Sequence, residues 1–259
     1  LQVPMKEGQS PIWLECTSSS LPAGFLGEFT KDRHVLVIDG QGGYLTKTPA
    51  YNSLDWNTIH SKNEVKIDAN GDASIATRLK VDGNFAEDML MVKQHLNTRQ
   101  QRDYFNRNSP VAGLIINQYE LSVEHRDSLL LADVSYDGFI QKFVQNTAKR
   151  MILKSFLGKV TDDMLVNNSL SQIDEYEIEL PEVMDAENLP DNLSIEEEGI
   201  AVKLSASLHG KSLLVKREMK LSISKEMTDE SKTDLIKRIN ALGSSSFYFI
   251  KNTAALRNE

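Results

Sequence analysis

The chain has 259 residues, a formal net charge of −8 at pH 7 and one cysteine. With 40% hydrophobic and 25% charged residues, it has the composition of a globular protein and not of a disordered one. The acidic balance argues against nucleic acid as a partner, because it repels phosphate backbones. The sequence contains no uncharged apolar stretch long enough to predict a membrane span. A single cysteine excludes an internal disulfide and a thiolate-rich metal site.

Apolar and polar residues alternate along most of the chain, which predicts β-strands. Apolar runs at 35–38 and 44–48 flank a glycine-rich turn and predict a hairpin, and Asn70-Gly71 predicts the turn of a second one. Gly138 predicts a bulge, after which the apolar phase moves to Phe139 and Phe143. The alternation predicts an antiparallel meander with one solvated face, built from stretches at 65–67, 73–81, 115–123, 130–136, 176–180, 200–208, 213–223 and 247–250.

Two stretches have helical periodicity instead. Apolar residues at 85, 89, 92 and 96 predict a helix over 84–107, with Asn84 as its cap. Thr228 and Gly243 bracket a second helix predicted over 229–242. The expected fold is therefore mainly β, with sandwich-like antiparallel sheets and two packing helices, α+β overall.

The chain begins without an initiator Met or a signal-peptide pattern. Three short motifs near its start occur in a distinctive order. They are Trp13-Leu14-Glu15-Cys16-Thr17, Pro22-Ala23-Gly24-Phe25-Leu26-Gly27 and Arg33-His34-Val35-Leu36-Val37. Together they resemble the end of the catalytic core of bacterial transglutaminase-like proteins, of the papain-type cysteine protease superfamily. Later motifs are similar to the β-rich domain that follows such a core, namely Ile178-Glu179-Leu180-Pro181, Leu189-Pro190 and Phe247-Tyr248-Phe249-Ile250.

This resemblance implies a division of the chain and a role for one residue. Residues 1–50 would be the terminal segment of the core and a strap leaving it, and 51–259 an accessory domain. Glu15 would hold the position of the triad acid, where the family has aspartate; such a carboxylate orients the imidazole of a Cys-His pair. The thiol and the imidazole would belong to a missing N-terminal catalytic portion, which becomes the expected partner. The resemblance also implies an exported protein.

Other candidate residues favour structural roles. Cys16 is expected to be a small buried side chain, and the five histidines to be surface or boundary residues. Residues 68–72 resemble a calcium loop but are better explained as a hairpin turn, so we expect no metal and no cofactor. Tyr136, Phe139, Phe143 and Tyr176 are expected to be mainly core residues.

The sequence leaves three functions open. The leading one is a non-catalytic accessory domain that supports a transglutaminase-like core or docks a partner. The second is a free-standing module that binds carbohydrate or peptide through the aromatic residues. The third is part of an active transglutaminase or peptidase, with Glu15 as its triad acid. A strap predicts exposed apolar side chains near Trp13 and Phe25, whereas a free-standing module predicts that this segment is fully packed.

Overall fold

The chain is organised around an eight-stranded β-sheet. The computed structural model describes residues 1–18, 20–27, 29–50, 53–126, 129–147, 149–153, 156–165, 169–190, 192–223, 227–244 and 247–251. The predicted boundary between residues 50 and 51 lies at the edge of a gap, since 51 and 52 are outside the described residues. The strands are Gln2–Val3 (β1), Ile12–Trp13 (β2), His34–Asp39 (β3), Gly42–Lys47 (β4), Thr58–Ile67 (β5), Ala73–Asp82 (β6), Leu114–Arg126 (β7), Leu129–Ile140 (β8), Val144–Asn146 (β9), Arg150–Leu153 (β10), Ser169–Glu179 (β11), Met184–Asn188 (β12), Leu193–Glu197 (β13), Ile200–His209 (β14), Ser212–Ser222 (β15) and Tyr248–Lys251 (β16).

The main sheet consists of two four-stranded antiparallel halves. Its strand order is β13-β14-β15-β11-β5-β6-β8-β7, and the halves meet where β11 runs parallel to β5. A smaller antiparallel sheet has the order β12-β16-β10-β9, while β1–β2 and β3–β4 form separate two-stranded sheets. The prediction of a mainly β fold with packing helices is confirmed. The parallel junction between β5 and β11 is the exception to the predicted antiparallel meander.

Alternation gives the main sheet one buried face and one solvated face. Val65 and Ile67 are buried on the inner face of β5, whereas Lys62 and Glu64 are exposed on its outer face. Ion pairs cross this outer face, including Lys66 to Glu179 at 2.8 Å. The predicted solvated face is confirmed.

The predicted helix over 84–107 is two helices, Asn84–His95 (α1) and Thr98–Asn108 (α2). Leu96 is extended, and Asn97 then caps α2 in a capping box with Gln100. The apolar periodicity continues through Leu96, so it did not reveal this break. The predicted Asn84 cap is also wrong, because Gly83 occupies that position.

Two helices follow later in the chain. Asp162–Leu165 (α3) is a single turn. Asp229–Gly243 (α4) matches the second predicted helix, and the Thr228 side chain accepts a hydrogen bond from Ser231 N at 3.2 Å as its cap.

The bulge predicted at Gly138 lies instead in the neighbouring strand. The register shifts in β7 between Ile116 and Gln118, opposite Gly138. Because of this shift, Ile116 is buried and Ile115 is exposed, whereas strict alternation with Tyr119, Leu121 and Val123 predicts Ile115 on the apolar face. In β8 itself, Ile140 stays in phase and is fully buried, so the predicted shift of the apolar set to Phe139 is wrong.

Gly138 allows the bulged strand to approach closely. A Cβ atom at this position would lie 2.7 Å from the Ile115 carbonyl oxygen, which belongs to the backbone and cannot simply rotate away. We therefore expect Gly138→Ala to lower the free energy of unfolding by about 1–3 kcal/mol in urea denaturation. Gly40→Ala is the matched control, since a Cβ there meets nothing within 4 Å. Equal effects of the two substitutions would contradict this explanation.

Candidate functional site

A row of polar side chains crosses the inner face of the main sheet. Arg217 on β15 is the cross-strand partner of Asp174 on β11, which in turn pairs with Ser61 on β5. One step along, Asn63 on β5 pairs with Thr77 on β6. All five side chains are buried. We call them the polar row.

Asp174 is the centre of this row. Its Oδ2 accepts hydrogen bonds from Arg217 Nε at 2.9 Å and from Arg217 Nη2 at 2.6 Å. Its Oδ1 accepts one from Ser61 Oγ at 2.8 Å. Gln172 Nε2 also donates to both oxygens, at 3.1 and 3.0 Å. The buried carboxylate is therefore paired with a cation and surrounded by donors, as a buried charge requires.

The remaining polar groups continue the network. Asn63 Nδ2 donates to Ser61 Oγ at 3.2 Å, and Thr77 Oγ1 donates to Asn63 Oδ1 at 2.8 Å. Burial raises the pKa of Tyr136, and its hydrogen bonds with Thr77 and Ser109 only partly oppose this. Burial also raises the pKa of Tyr176 well above its ordinary value, while its hydroxyl donates to Phe156 O at 2.8 Å. Both phenols are therefore neutral at physiological pH.

A cavity of about 570 Å³ lies over the polar row. Two segments cover it, and we call them the roof: residues 108–112, which begin at the last residue of α2, and residues 157–164. Arg217 Nη1 donates to Gly158 O at 2.6 Å, so the ion pair also fixes the roof to the sheet. The lining residues are Ile59, Ser61, Asn63, Thr77, Leu79, Asn108, Ser109, Pro110, Ala112, Tyr136, Leu157, Gly158, Lys159, Met164, Gln172, Asp174 and Tyr176.

Glu15, the residue predicted from the family resemblance, lies elsewhere, just after β2. Its Oε1 accepts hydrogen bonds from Thr17 N at 2.9 Å and Thr17 Oγ1 at 2.5 Å, and its Oε2 accepts one from Thr30 Oγ1. Burial alone would raise the pKa of Glu15, but these hydrogen bonds outweigh it and the net shift is downward. Among the described residues, no imidazole or thiol hydrogen-bonds to this carboxylate.

Cys16 is exposed, so the prediction of a buried side chain is wrong. Its Sγ lies 3.7 Å from Leu14 O and 3.9 Å from the N-terminal nitrogen of Leu1. The prediction relied on the usual burial of free cysteines, but Cys16 lies in irregular backbone after β2, which ends at Trp13.

The histidines lie at the surface, and residues 68–72 form a turn. His60 Nε2 lies 3.0 Å from Glu175 Oε2 on the outer face, and the other four histidines are exposed. Asp68 Oδ1 accepts from Asn70 N and Asp72 N at 2.9 Å, which closes the predicted turn. Within the described residues, no group of three or more His, Cys, Asp or Glu side chains could hold a metal ion.

The four aromatic residues considered together in the sequence do not share one surface. Tyr136 and Tyr176 line the cavity, Phe143 is in the core, and Phe139 faces the opposite side of β8.

The sequence interpretation missed the polar row, although a signal for it was present. Arg217 occupies an apolar-phase position between Val215 and Met219, where only a specific partner makes a charge tolerable.

No protein-family model matches this chain, and a search of curated proteins finds no match. In the described part of the chain, no helix combines the length and apolar character needed to cross a membrane.

The ion pair yields a stability prediction. Arg217→Met leaves the buried Asp174 carboxylate without its cation, so we expect a loss of about 3–5 kcal/mol in the free energy of unfolding. The double variant Asp174→Leu, Arg217→Met should lose less than the single variant, because no charge remains buried. Lys66→Met, which breaks an exposed ion pair, is the control and should have little effect. A double variant less stable than Arg217→Met would contradict the argument.

The contacts of Glu15 yield a second prediction. Because its folded-state pKa is lowered, its stabilising contribution is complete above the unfolded pKa and is lost as the pH falls through the folded pKa. The Thr17 amide donates to this carboxylate, so its proton NMR shift should titrate with a midpoint below the ordinary value of 4.5. Thr30→Val should raise that midpoint, and Glu15→Gln should abolish the titration. A midpoint above 4.5 would contradict the assigned hydrogen bonds.

Proposed function

We propose that this chain is a non-catalytic accessory part of a transglutaminase-like protein, and that residues 1–50 pack against the catalytic part of that protein. One observation supports the proposal above all others. Apolar side chains that a stable domain would cover are exposed on the hairpin formed by β3 and β4. The exported location implied by the family resemblance belongs to the same proposal.

Three apolar residues share one face of this hairpin. Leu36 is the direct cross-strand partner of Leu45, and Ile38 lies two residues further along β3 on the same side. Their exposed fractions are 60%, 79% and 76%, respectively. We call these three residues the hairpin face. Among the strands that the structure describes, β3 and β4 pair only with each other, so both the face and the strand edges are open to a partner.

Residues 25–27, which precede the hairpin, pack on the main sheet and on α1. Phe25 is fully buried in the core of the main sheet, and Leu26 is also buried. Gly27 packs so closely on α1 that an added Cβ would lie 3.0 Å from Glu87 Oε1. These contacts of residues 25–27 hold this part of the chain on the main sheet and α1, while the hairpin face remains exposed.

This arrangement corrects the expectation in its details. Trp13 is half-buried and Phe25 is buried, so neither forms the exposed apolar patch predicted at these positions. The exposed apolar side chains are instead those of the hairpin face and of nearby residues such as Leu1 and Phe29. They still favour a packed-on partner over a free-standing module, because a free-standing module would bury them.

The contacts of Glu15 are compatible with the role that the family resemblance implies for it. Its Oε2 accepts one hydrogen bond, from Thr30, which leaves a lone pair for an imidazole supplied by the catalytic part. In the intact protein, Glu15→Gln therefore distinguishes an active enzyme that uses Glu15 as its triad acid from a protein in which this chain is a non-catalytic accessory part. Loss of turnover with unchanged folding would assign Glu15 to the triad, and an unchanged rate would remove it.

The docking proposal is tested by co-expressing this chain with the portion encoded immediately before it in the same reading frame. Leu36→Lys with Leu45→Lys should weaken association at least about tenfold, because two large apolar contacts are lost. The thermal stability of the chain alone should change little, since both side chains are exposed. Ile115→Lys is the matched control, as Ile115 is a similarly exposed apolar residue on the main sheet.

Two results would contradict this proposal. The first is a preceding reading frame that encodes no domain with a Cys-His pair. The second is that Leu36→Lys with Leu45→Lys weakens the association no more than Ile115→Lys does.

A further inference from the structure

We propose that residues 120–126 of β7 bind the same residues of a second copy of this chain, so that two main sheets join edge to edge. We call residues 120–126 the edge segment. The proposal does not rest on the docking of residues 1–50, since none of their strands belongs to the main sheet. Three features of β7 support it, namely an open strand edge, half-covered apolar side chains and a self-complementary charge pattern.

The strand β7 lies at the end of the main sheet, and α2 accompanies only its first half. Ile116 N donates to Asn106 Oδ1 of α2 at 2.9 Å, and Tyr119 Oη lies 3.1 Å from Thr98 O at the start of that helix. Among the described residues, none outside β7 and β8 hydrogen-bonds to the edge segment. Its outward backbone groups are therefore available to a further strand.

The inner face of the edge segment is incompletely covered. Leu121 and Val123 are half-buried against the core. Their cross-strand partners on β8, Val134 and Ala132, are each only 2% exposed, because β8 has a neighbouring strand on both sides. A strand added beside β7 would give Leu121 and Val123 the same cover and would remove apolar surface from water.

Symmetry limits how two identical edges can pair. Antiparallel pairing of the same segment from two copies requires a two-fold axis perpendicular to the sheet. Inner side chains stay on the inner face only if this axis passes through a residue, which then faces its own copy. Residues at equal distances on either side of that central residue face each other. The choice of register is therefore the choice of the central residue.

Like charges exclude three of these registers. The acids of the edge segment are Glu120 and Glu124, and both are exposed. A central residue at either position places that glutamate against its own copy. Ser122 as the central residue places Glu120 against Glu124 twice. Like charges directly opposite each other destabilise a strand pair, so these registers are unfavourable.

Two further registers conflict with the extent of the open edge. A central Leu121 would extend the pairing to residues 118 and 119, where α2 lies beside β7. A central His125 would pair only residues 124–126. Val123 is the remaining choice, and it pairs the whole edge segment. The half of each strand that α2 accompanies then lies past the end of β7 in the other copy.

With Val123 at the centre, Glu120 of each copy faces Arg126 of the other. Glu120 forms no hydrogen bond or ion pair with any residue that the structure describes. Arg126 forms an exposed ion pair with Glu124 at 3.1 Å, and its side chain is 72% exposed. The register therefore gives an unpaired acid an opposite charge, and it does so twice across the two-fold axis.

Measurements of translational diffusion by NMR on the whole chain test the association. The edge segment forms a small interface, which predicts a weak dimer. We expect diffusion to slow from that of a monomer towards that of a dimer as the concentration rises to about 0.5 mM. A salt concentration of about 0.15 M limits the long-range repulsion between the acidic chains. A chain that stays monomeric throughout would overturn the proposal.

Charge reversal tests the register. Glu120→Arg and Arg126→Glu each place like charges opposite each other twice, so each variant alone should dimerise about fivefold more weakly. An equimolar mixture of the two variants restores opposite charges and should recover the association. Glu64→Arg changes the net charge as Glu120→Arg does, at an exposed position of β5, and should have little effect. A mixture that associates no better than either variant alone would contradict the register.

A single cysteine locates the two-fold axis. In a Cys16→Ser background, Val123→Cys places two thiols directly opposite each other, at a Cα separation of about 4.5–5.5 Å that a disulfide spans. Mild oxidation should then give a covalent dimer. Gln118→Cys is the control, because its two copies lie about 33 Å apart in this register. Equal cross-linking at the two positions would overturn the proposed axis.

The hairpin face is a different route to self-association, and one variant distinguishes it. Leu36→Lys with Leu45→Lys alters that face and leaves β7 unchanged, so this variant should dimerise as the unchanged chain does. Loss of the dimer in this variant would assign the association to the hairpin face and overturn the proposal.

Discussion

The buried ion pair between Asp174 and Arg217 is the interaction on which the arrangement of the main sheet depends. It connects β15 to β11, extends through Ser61 to β5, and reaches the roof through Gly158. Burying both charges is costly, and the surrounding donors compensate the cost only in one register. Short hairpin turns fix the register of most strand pairs, but none connects β5 to β11. We infer that the contact of Ser61 with Asp174 helps to fix the register of this parallel pair.

The same pair explains why a cavity occurs at this place. The apolar core forms two clusters, one containing Val215 and the other Met219, and Arg217 lies between these residues on the same strand. Polar side chains held by fixed hydrogen bonds cannot adjust their shape to fill space as aliphatic ones do. The roof is therefore held above the sheet by a hydrogen bond to Gly158 O, and the space beneath it remains open. Stability and a binding-sized cavity thus have one common origin.

Local patterns in the sequence were sufficient for most strands, the two hairpins and α4, because alternation and capping are properties of neighbouring residues. Local patterns were insufficient where contacts between residues far apart in the sequence determine the structure. The parallel pairing of β5 with β11 joins segments more than 100 residues apart. The predicted helix was extended past Leu96, where the apolar periodicity ends, and Asn97 there caps a separate helix. The bulge opposite Gly138 depends on the partner strand, although the glycine correctly marked the place. For Glu15, the contact with Thr17 is local, but the contact with Thr30 is visible only in the fold.

The hairpin face and the cavity lie in separate parts of the chain. The hairpin face belongs to residues 1–50, which are anchored near α1 through Phe25. The cavity is covered by residues 108–112 and 157–164, which come from other parts of the chain. A catalytic domain packed on the hairpin face would therefore leave the lining of the cavity unchanged. Because the hairpin face and the cavity share no residue, a substitution on one of them tests that region without altering the other.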